Sequence, residues 1–389
     1  MLRGGMQSLA ESAINGARLV VPEWSGISFD KFYARTVTGG LTNKLSLVGV
    51  HDEQNEAVNK HVLVRIFGEG TEVFIQRDVE AAVCSEMAKT NVAPKVLGPF
   101  EGGRVEEYVD NAASLMNKDM HRPEILSNIA KLMARMHSIP LSSDSFKGVA
   151  GMAKPMTPAT VQKLWNSASK VSFKDNARDA LRLASFQVGG LFAEVEWLKK
   201  ELATMGGPKV LCHRDLQSGN VMVRKTASGE IEKVYLIDFE YAGMDYIAFD
   251  FGNTFNEMAI DNFCLRFPGF VIDPGMYPTA EEEHLFFTSY LEANTNHALL
   301  FRGEENMTLE DKVSRLSGYA KLGMVASHLQ WALWGIAQSV EATIEWGYIE
   351  YSNARLEQYY ALRKEYDVWH AKQEKSYPCT KYPRPASTQ

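Results

Sequence analysis

Two short segments carry side chains whose types and spacing suit phosphoryl transfer. HRDLQSGN runs from His213 to Asn220, and LIDFEYAG from Leu236 to Gly243. Moving a terminal phosphoryl from a nucleoside triphosphate to a hydroxyl needs a carboxylate that orients and deprotonates the acceptor. It also needs oxygen ligands for magnesium. Asp215 can be that base. Asn220, in the same loop, can bind one metal ion. Asp238 follows an expected strand and can hold the other beside the β- and γ-phosphates. Each tripeptide alone is a weak signal, but the order, spacing and strand context together are specific. His213 reads as a packed structural histidine that hydrogen-bonds the loop backbone, because no second His or Cys stands at ligand spacing.

A triphosphate also needs a grip. GGLTN (Gly39, Gly40, Leu41, Thr42, Asn43) falls between two expected strands, where glycines let backbone N–H groups approach phosphate. Taken alone, an ordinary hairpin turn is the simpler reading, and there is no Walker-type GxxxxGK[ST] loop. Arg65 sits inside the apolar run VLVRIFG, where a cation is costly unless paired. The expectation is a phosphate-gripping role with Glu80, on the next helix, as its partner. The strand GRVEEYV then offers backbone groups near Glu107 and Val109 to a purine base.

Elements must position these residues. Alternation predicts strands over Ala34 to Thr38 and Lys44 to Val50, and an apolar strand over Val62 to Phe67. Helical spacing marks Thr71 to Thr90, the one helix expected in the first 110 residues. Lys95 to Phe100 and Arg104 to Val109 read as a hairpin turned by Gly102-Gly103, and Asp110 to Met116 as a hinge. Helices follow over Pro123 to Ile139 and Phe192 to Leu202, then short strands at Val221 to Arg224 and Lys233 to Ile237. From about Glu281 the chain is aromatic-rich and helical, and from about Lys372 it is polar and frayed. The fold class is therefore α+β: a small β-rich N-terminal nucleotide-binding lobe over 1–110 and a large helical C-terminal lobe over 111–389. This order is that of a two-lobed, protein-kinase-like fold.

Composition agrees. The chain has 389 residues, 45% hydrophobic and 23% charged, enough to bury a sizeable core without covalent staples. A net charge of −7 argues against a nucleic-acid partner. Cys84, Cys212, Cys264 and Cys379 form no CxxC pair, which suits reduced thiols and a cytoplasmic location. The N-terminus lacks the continuous apolar stretch of a secretory signal. Leu322 to Val340 is uncharged and long enough to span a bilayer, but Ser327, His328, Gln330, Gln338 and Ser339 would be costly in lipid. A buried helix carrying a polar site is expected instead.

The acceptor side is written in carboxylates and rings. In DFGNTFNE, Asp250 reads as a brace for the catalytic loop, and Glu257 falls two helical turns further on a similar face. Trp331 and Trp334, three apart, project together, as do Tyr348 and Tyr351, with Trp346 nearby. Two indoles and two phenols near a carboxylate make a box for an organic cation. Aromatics at helical spacing are more often simply core, and periodicity alone cannot overturn that reading.

From about Gly39 to Tyr360 the chain resembles the choline/ethanolamine kinase family. The resemblance is carried by GGLTNKL, VLVRIFGEGTEVFIQRDVE, GRVEEYV, HRDLQSGN, IDFEYA, AFDFGNTFNE, SHLQWALWGIAQ and IEWGYIEYSNARLEQYY. It implies the aminoglycoside phosphotransferase/choline kinase type of fold. It also implies ATP and Mg2+ as cofactors, and phosphorylation of choline or ethanolamine as entry to phospholipid synthesis. Asp215 is then the base, Asn220 and Asp238 the metal ligands, and Gln217 a neighbour of the acceptor. Tyr241, Glu257, Trp331, Trp334 and Tyr351 surround the ammonium group. Members are often dimeric, which implies a homodimer. Two departures stand out: Arg214 where the family usually has Asn, and no tyrosine within Met258 to Phe263. The rings, Tyr348 included, favour choline, with ethanolamine kinase or a dual enzyme as the alternative. An aminoglycoside phosphotransferase would need an acid-lined pocket, a protein kinase an APE-type segment. A catalytically inactive binding module would not need the polar catalytic residues present here.

Overall fold

The computed structural model describes residues 2–37, 43–51, 61–68, 76–173, 177–186, 188–301, 306–340 and 346–376. Along the chain the elements are α1 (Leu2–Val20), β1 (Phe32–Val37), β2 (Asn43–Val50), β3 (His61–Phe67), α2 (Arg77–Lys89), β4 (Val96–Phe100), β5 (Gly103–Glu107) and β6 (Ala112–Ser114). Then come α3 (Pro123–His137), α4 (Met156–Ala168), α5 (Ala177–Ser185), α6 (Leu191–Met205), β7 (Lys209–Cys212), β8 (Val221–Lys225), β9 (Ile231–Leu236), β10 (Gly243–Tyr246) and α7 (Ile247–Met258). The remainder is β11 (Ile260–Asp261), β12 (Val271–Ile272), α8 (Ala280–Ala293), α9 (His297–Leu300), α10 (Leu309–Gln338) and α11 (Tyr348–Ser376). They gather into two compact units. The first holds 1–114 together with 222–241, a segment that a linear division does not anticipate; the second holds 115–221 and 242–389.

The first unit is built on a five-stranded antiparallel sheet in the order β1-β2-β3-β5-β4. Strand alternation puts Val48, Val62, Val64 and Val105 in a core with Ala13, Ile14, Ala17, Val21 and Trp24 of the N-terminal segment. The sequence reading expected one helix here. Among the described residues there are two, because Ala10, Ala13, Ile14 and Ala17 form a narrow stripe, mostly alanine, whose helical period is easily overlooked. Gly102 turns the β4–β5 hairpin with φ +82°, a backbone state that favours glycine. The expected hinge contains β6, which pairs antiparallel with β8; β9 completes that three-stranded sheet.

The second unit is mostly helical. On α3, Ile125, Ile129, Leu132, Met133 and Met136 are buried, the face that the periodicity marks. Every residue of α7 is buried. It packs against α10 so closely that a Cβ on Gly323 would overlap the carbonyl oxygen of Ala248. The uncharged stretch is largely a buried part of α10, as expected, and three of its polar side chains find partners. Ser327 Oγ donates to Asn253 Oδ1 at 2.8 Å, His328 Nε2 meets the Tyr277 hydroxyl at 2.9 Å, and Gln330 Oε1 accepts from Arg214 at 3.1 Å. No helix among the described residues is long and apolar enough to cross a membrane.

Candidate active site

In the second unit, β7 and β10 form a two-stranded antiparallel ribbon, and the HRDLQSGN loop leaves the end of β7 at Cys212. Two buried aspartates hold the loop from behind. Asp250, on α7, accepts from the backbone N–H groups of His213 and Arg214, each at 2.7 Å, the bracing role its position suggests. His137 Nε2 lies 2.9 Å from the same carboxylate, and its Nδ1 lies 2.9 Å from the Tyr290 hydroxyl. Burial pushes the Asp250 carboxyl up, but His137 and the loop donors outweigh that and keep it below the ordinary value.

Asp245, on β10, is the second brace. It accepts from Arg214 Nε at 2.7 Å, from Thr157 N at 2.8 Å and Oγ1 at 2.6 Å, and from Tyr246 N at 2.9 Å. Arg214 is 1% exposed, yet its guanidinium also reaches Gln330 and lies over the Phe249 ring. Its φ of +67° is a left-handed conformation rare for a long side chain. That strain, of order 1–3 kcal/mol, persists only where surroundings over-determine it. The ion pair to Asp245 and the two backbone bonds to Asp250 do so here. The residue that departs from the family pattern is therefore the buried strut of the loop.

The loop's chemistry-bearing groups face each other locally. Asn220 Nδ2 donates to the Asp215 carbonyl at 2.8 Å and to its Oδ2 at 3.1 Å. This spends the Asn220 N–H on Asp215 and leaves the amide oxygen as the atom a hard cation would take. His213 is fully buried, and its Nδ1 lies 3.4 Å from the Asp215 N–H, the structural role expected of it. Gln217 Oε1 is buried without a hydrogen-bond partner among the described residues. A buried acceptor left unpaired is costly, so this atom is a place for an incoming donor.

The rings come together around Trp334, whose centroid lies 5.5 Å from Trp331, 6.4 Å from Trp346, 5.8 Å from Tyr348 and 6.3 Å from Tyr351. Trp331 is pinned by its indole N–H to Asn253 Oδ1 at 2.9 Å. Trp334, Trp346 and Tyr348 are only partly buried, so they keep open ring surface. Tyr351 is buried and its phenol is pushed up by burial; Asp215 is among the charges that act on it. Glu257 is 2% exposed, and its carboxylate is already engaged: Arg355 donates to Oε1 and Asn262 to Oε2 at 3.0 Å. Arg355 also donates to the Tyr351 hydroxyl. The sequence reading missed Arg355. The available signal was its place one helical turn beyond Tyr351, on the same face of α11.

In the first unit, Arg65 is 4% exposed. The expected pair with Glu80 is not formed. Arg65 pairs instead with Glu106, Nε to Oε1 at 3.2 Å, and with Asp238, Nη1 to Oδ1 at 3.2 Å. Glu80 is taken by Arg104 at 2.6 Å and Arg77 at 2.7 Å. The reason is Arg104, a second buried cation on β5 that competes for the helix carboxylate and that the sequence reading passed over. Asp238, after β9, has φ +63°, and its Oδ1 is the oxygen that Arg65 takes. Glu107 closes β5, where its N–H donates to Lys95 O at 2.8 Å; Val109 is buried and Tyr241 half-buried. Gly39, Gly40 and Thr42, with the side chain of Asn43, lie outside the described residues.

A sheet-rich unit with a buried strand arginine, and a helical unit that carries an HRD-type loop, are the parts of a kinase-type phosphotransferase. Residues 34–360 match the family model for choline/ethanolamine kinase, and the chain belongs to that family. It is 31% identical to a "Probable ethanolamine kinase" of Arabidopsis thaliana, over 86% of this chain and 81% of that one. It is 30% identical to "Probable choline kinase 3" of the same plant, over 88% and 90%. The solved choline kinase of Cryptosporidium parvum superposes with a TM-score of 0.73 at 23% identity, covering 94% of this chain and 99% of that one, which supports the fold.

Proposed function

We propose that this kinase transfers the terminal phosphoryl of ATP to the hydroxyl of choline, giving phosphocholine for phosphatidylcholine synthesis. The observation that carries the choline reading is the ring cluster centred on Trp334, with Tyr351 within electrostatic reach of Asp215. A trimethylammonium group has no N–H to donate. It is held by ring faces, each contributing about 0.5–2 kcal/mol and more where water is excluded. The charge of Glu257 is offset by Arg355, so the cation draws chiefly on the rings and on Asp215.

Asp215 accepts the hydroxyl proton as the alcohol attacks in line, with Asn220 fixing its carboxylate. Gln217 lies beside the acceptor. Arg65 steadies the phosphates, and the Glu107 to Val109 backbone borders the adenine. The amide oxygen of Asn220 and the carboxylate of Asp238 are hard oxygen donors of the kind magnesium takes. When bound, magnesium offsets charge on the β- and γ-phosphoryl oxygens. The free Cys84 and Cys212 suit a cytoplasmic enzyme, and family likeness suggests a homodimer.

One observation favours the second reading, ethanolamine. Glu257, Asn262 and Tyr351 form a polar corner whose oxygens suit a primary ammonium. Steady-state kinetics with each alcohol at saturating ATP separates the two. Choline is expected to give the higher kcat/KM, and the reverse order rejects the choline reading.

A further inference from the structure

On β3 and β5, Arg65 and Arg104 are directly opposed across the ladder. Like charges in that position repel unless something bridges them. Two residues on, and therefore on the same face, stands Glu106, the diagonal neighbour of Arg65. Its Oε1 accepts from both guanidinium Nε atoms, at 2.5 Å from Arg104 and 3.2 Å from Arg65. The chain of alternating charge then extends both ways. Arg104 reaches Glu80, and Glu80 reaches Arg77, at the start of α2. Arg65 reaches Asp238. Three cations and three anions thus alternate from the helix to the proposed metal ligand, and the set is neutral.

This arrangement has a consequence for loading. Arg65 holds one oxygen of the carboxylate that the metal needs. When Asp238 turns to a divalent ion, a buried guanidinium loses a partner and would be stranded unless another carboxylate stays with it. Glu106 is that other carboxylate. Burial pushes its carboxyl up, but Arg65 and Arg104 outweigh this and hold it below the ordinary value. It therefore stays ionised through the exchange.

We propose that Glu106, anchored by Arg104, is a positioning residue that lets Arg65 release Asp238 to the metal while remaining charged and aimed at the phosphates. This rests on the nucleotide and magnesium roles proposed above. Neither Glu106 nor Arg104 need touch the substrate.

The test is calorimetric binding of ATP to the full chain, with and without Mg2+, and with no acceptor present. The quantity read is the gain in affinity that Mg2+ confers. In Glu106→Gln, Asp238 becomes the one carboxylate left to Arg65 among the described residues, so the metal must break a tighter pair. The Mg2+-conferred gain is expected to shrink about tenfold, the scale of one charge-assisted hydrogen bond. Glu106→Asp keeps the charge with a shorter reach and is expected to recover part of the gain. General loosening of the sheet would weaken ATP binding equally with and without metal and leave the ratio unchanged. An unchanged ratio in folded Glu106→Gln, or a Glu106→Asp no better than Glu106→Gln, overturns the proposal. If the parent chain itself shows no Mg2+-dependent ATP binding, the functional reading fails first, and the inference with it.

Discussion

Replacing Arg214 by Ala removes the strut behind the HRDLQSGN loop. The cost follows from what is left behind. Asp245 is fully buried, and its carboxyl is pushed up by burial and drawn down by Arg214. Breaking a buried ion pair by removing one partner costs about 3–5 kcal/mol. Three neutral donors remain on Asp245, from Thr157 N, Thr157 Oγ1 and Tyr246 N, so the lower end, about 3 kcal/mol, applies. For a unit of this size, at roughly 2 °C per kcal/mol, the melting temperature should fall by about 6 °C. The pH dependence has a definite sign. Without the arginine, the folded pKa of Asp245 rises further above its unfolded value, so the folded state binds the extra proton. Stability is then lost as pH rises through that interval and regained on acidification. The deficit against the parent should be largest near pH 7.5 and smaller near pH 5. Scanning fluorimetry at both values measures it. Arg214→Ala combined with Asp245→Asn should recover part of the loss at pH 7.5, because the stranded charge is gone. A single variant within 1–2 °C of the parent at pH 7.5, or a double variant no better than the single, refutes the reasoning.

Asp215→Ala should lower kcat by about 10²–10⁴-fold while ATP affinity measured by calorimetry stays close to the parent value; a variant retaining a tenth of the parental kcat rules Asp215 out as the base. Trp334→Ala should raise KM for the acceptor by roughly 2–30-fold, the scale of one or two lost ring contacts, with little change in KM for ATP, and Trp334→Phe should regain part of it. An unchanged acceptor KM returns that ring to the core. Gly323→Ala should destabilise the second unit by about 3 kcal/mol, read as a lower melting temperature, because the added methyl meets the Ala248 carbonyl at the α7–α10 contact.

The parts of this molecule that obey a local rule were legible in the sequence. Strand alternation located β2, an apolar run β3, and the Gly102-Gly103 pair the β4–β5 hairpin, and the apolar face of α3 followed from its period. Asp250 was readable as a brace because its place after the second motif had no metal left to serve. What escaped depends on contacts between elements far apart in the chain. The Glu80 pairing went to Arg104 rather than Arg65, because strand register, which decides which cation faces the helix, is invisible in a single strand. Arg355 was overlooked because α11 reads as an ordinary charged helix until Glu257 and Tyr351 are placed beside it. Arg214 looked like a departure of uncertain effect, since its partners Asp245, Thr157 and Gln330 come from three separate elements. Helix α1 was missed for a simpler reason: a stripe built from alanines carries little hydrophobic contrast.

The most direct measurement is phosphorus NMR of the purified chain with MgATP and an equimolar mixture of choline and ethanolamine. The account predicts a phosphomonoester signal in which phosphocholine accumulates faster, and no such signal with Asp215→Ala. Faster accumulation of phosphoethanolamine contradicts the choline assignment, and ATP left intact in the presence of both alcohols contradicts the proposed activity itself.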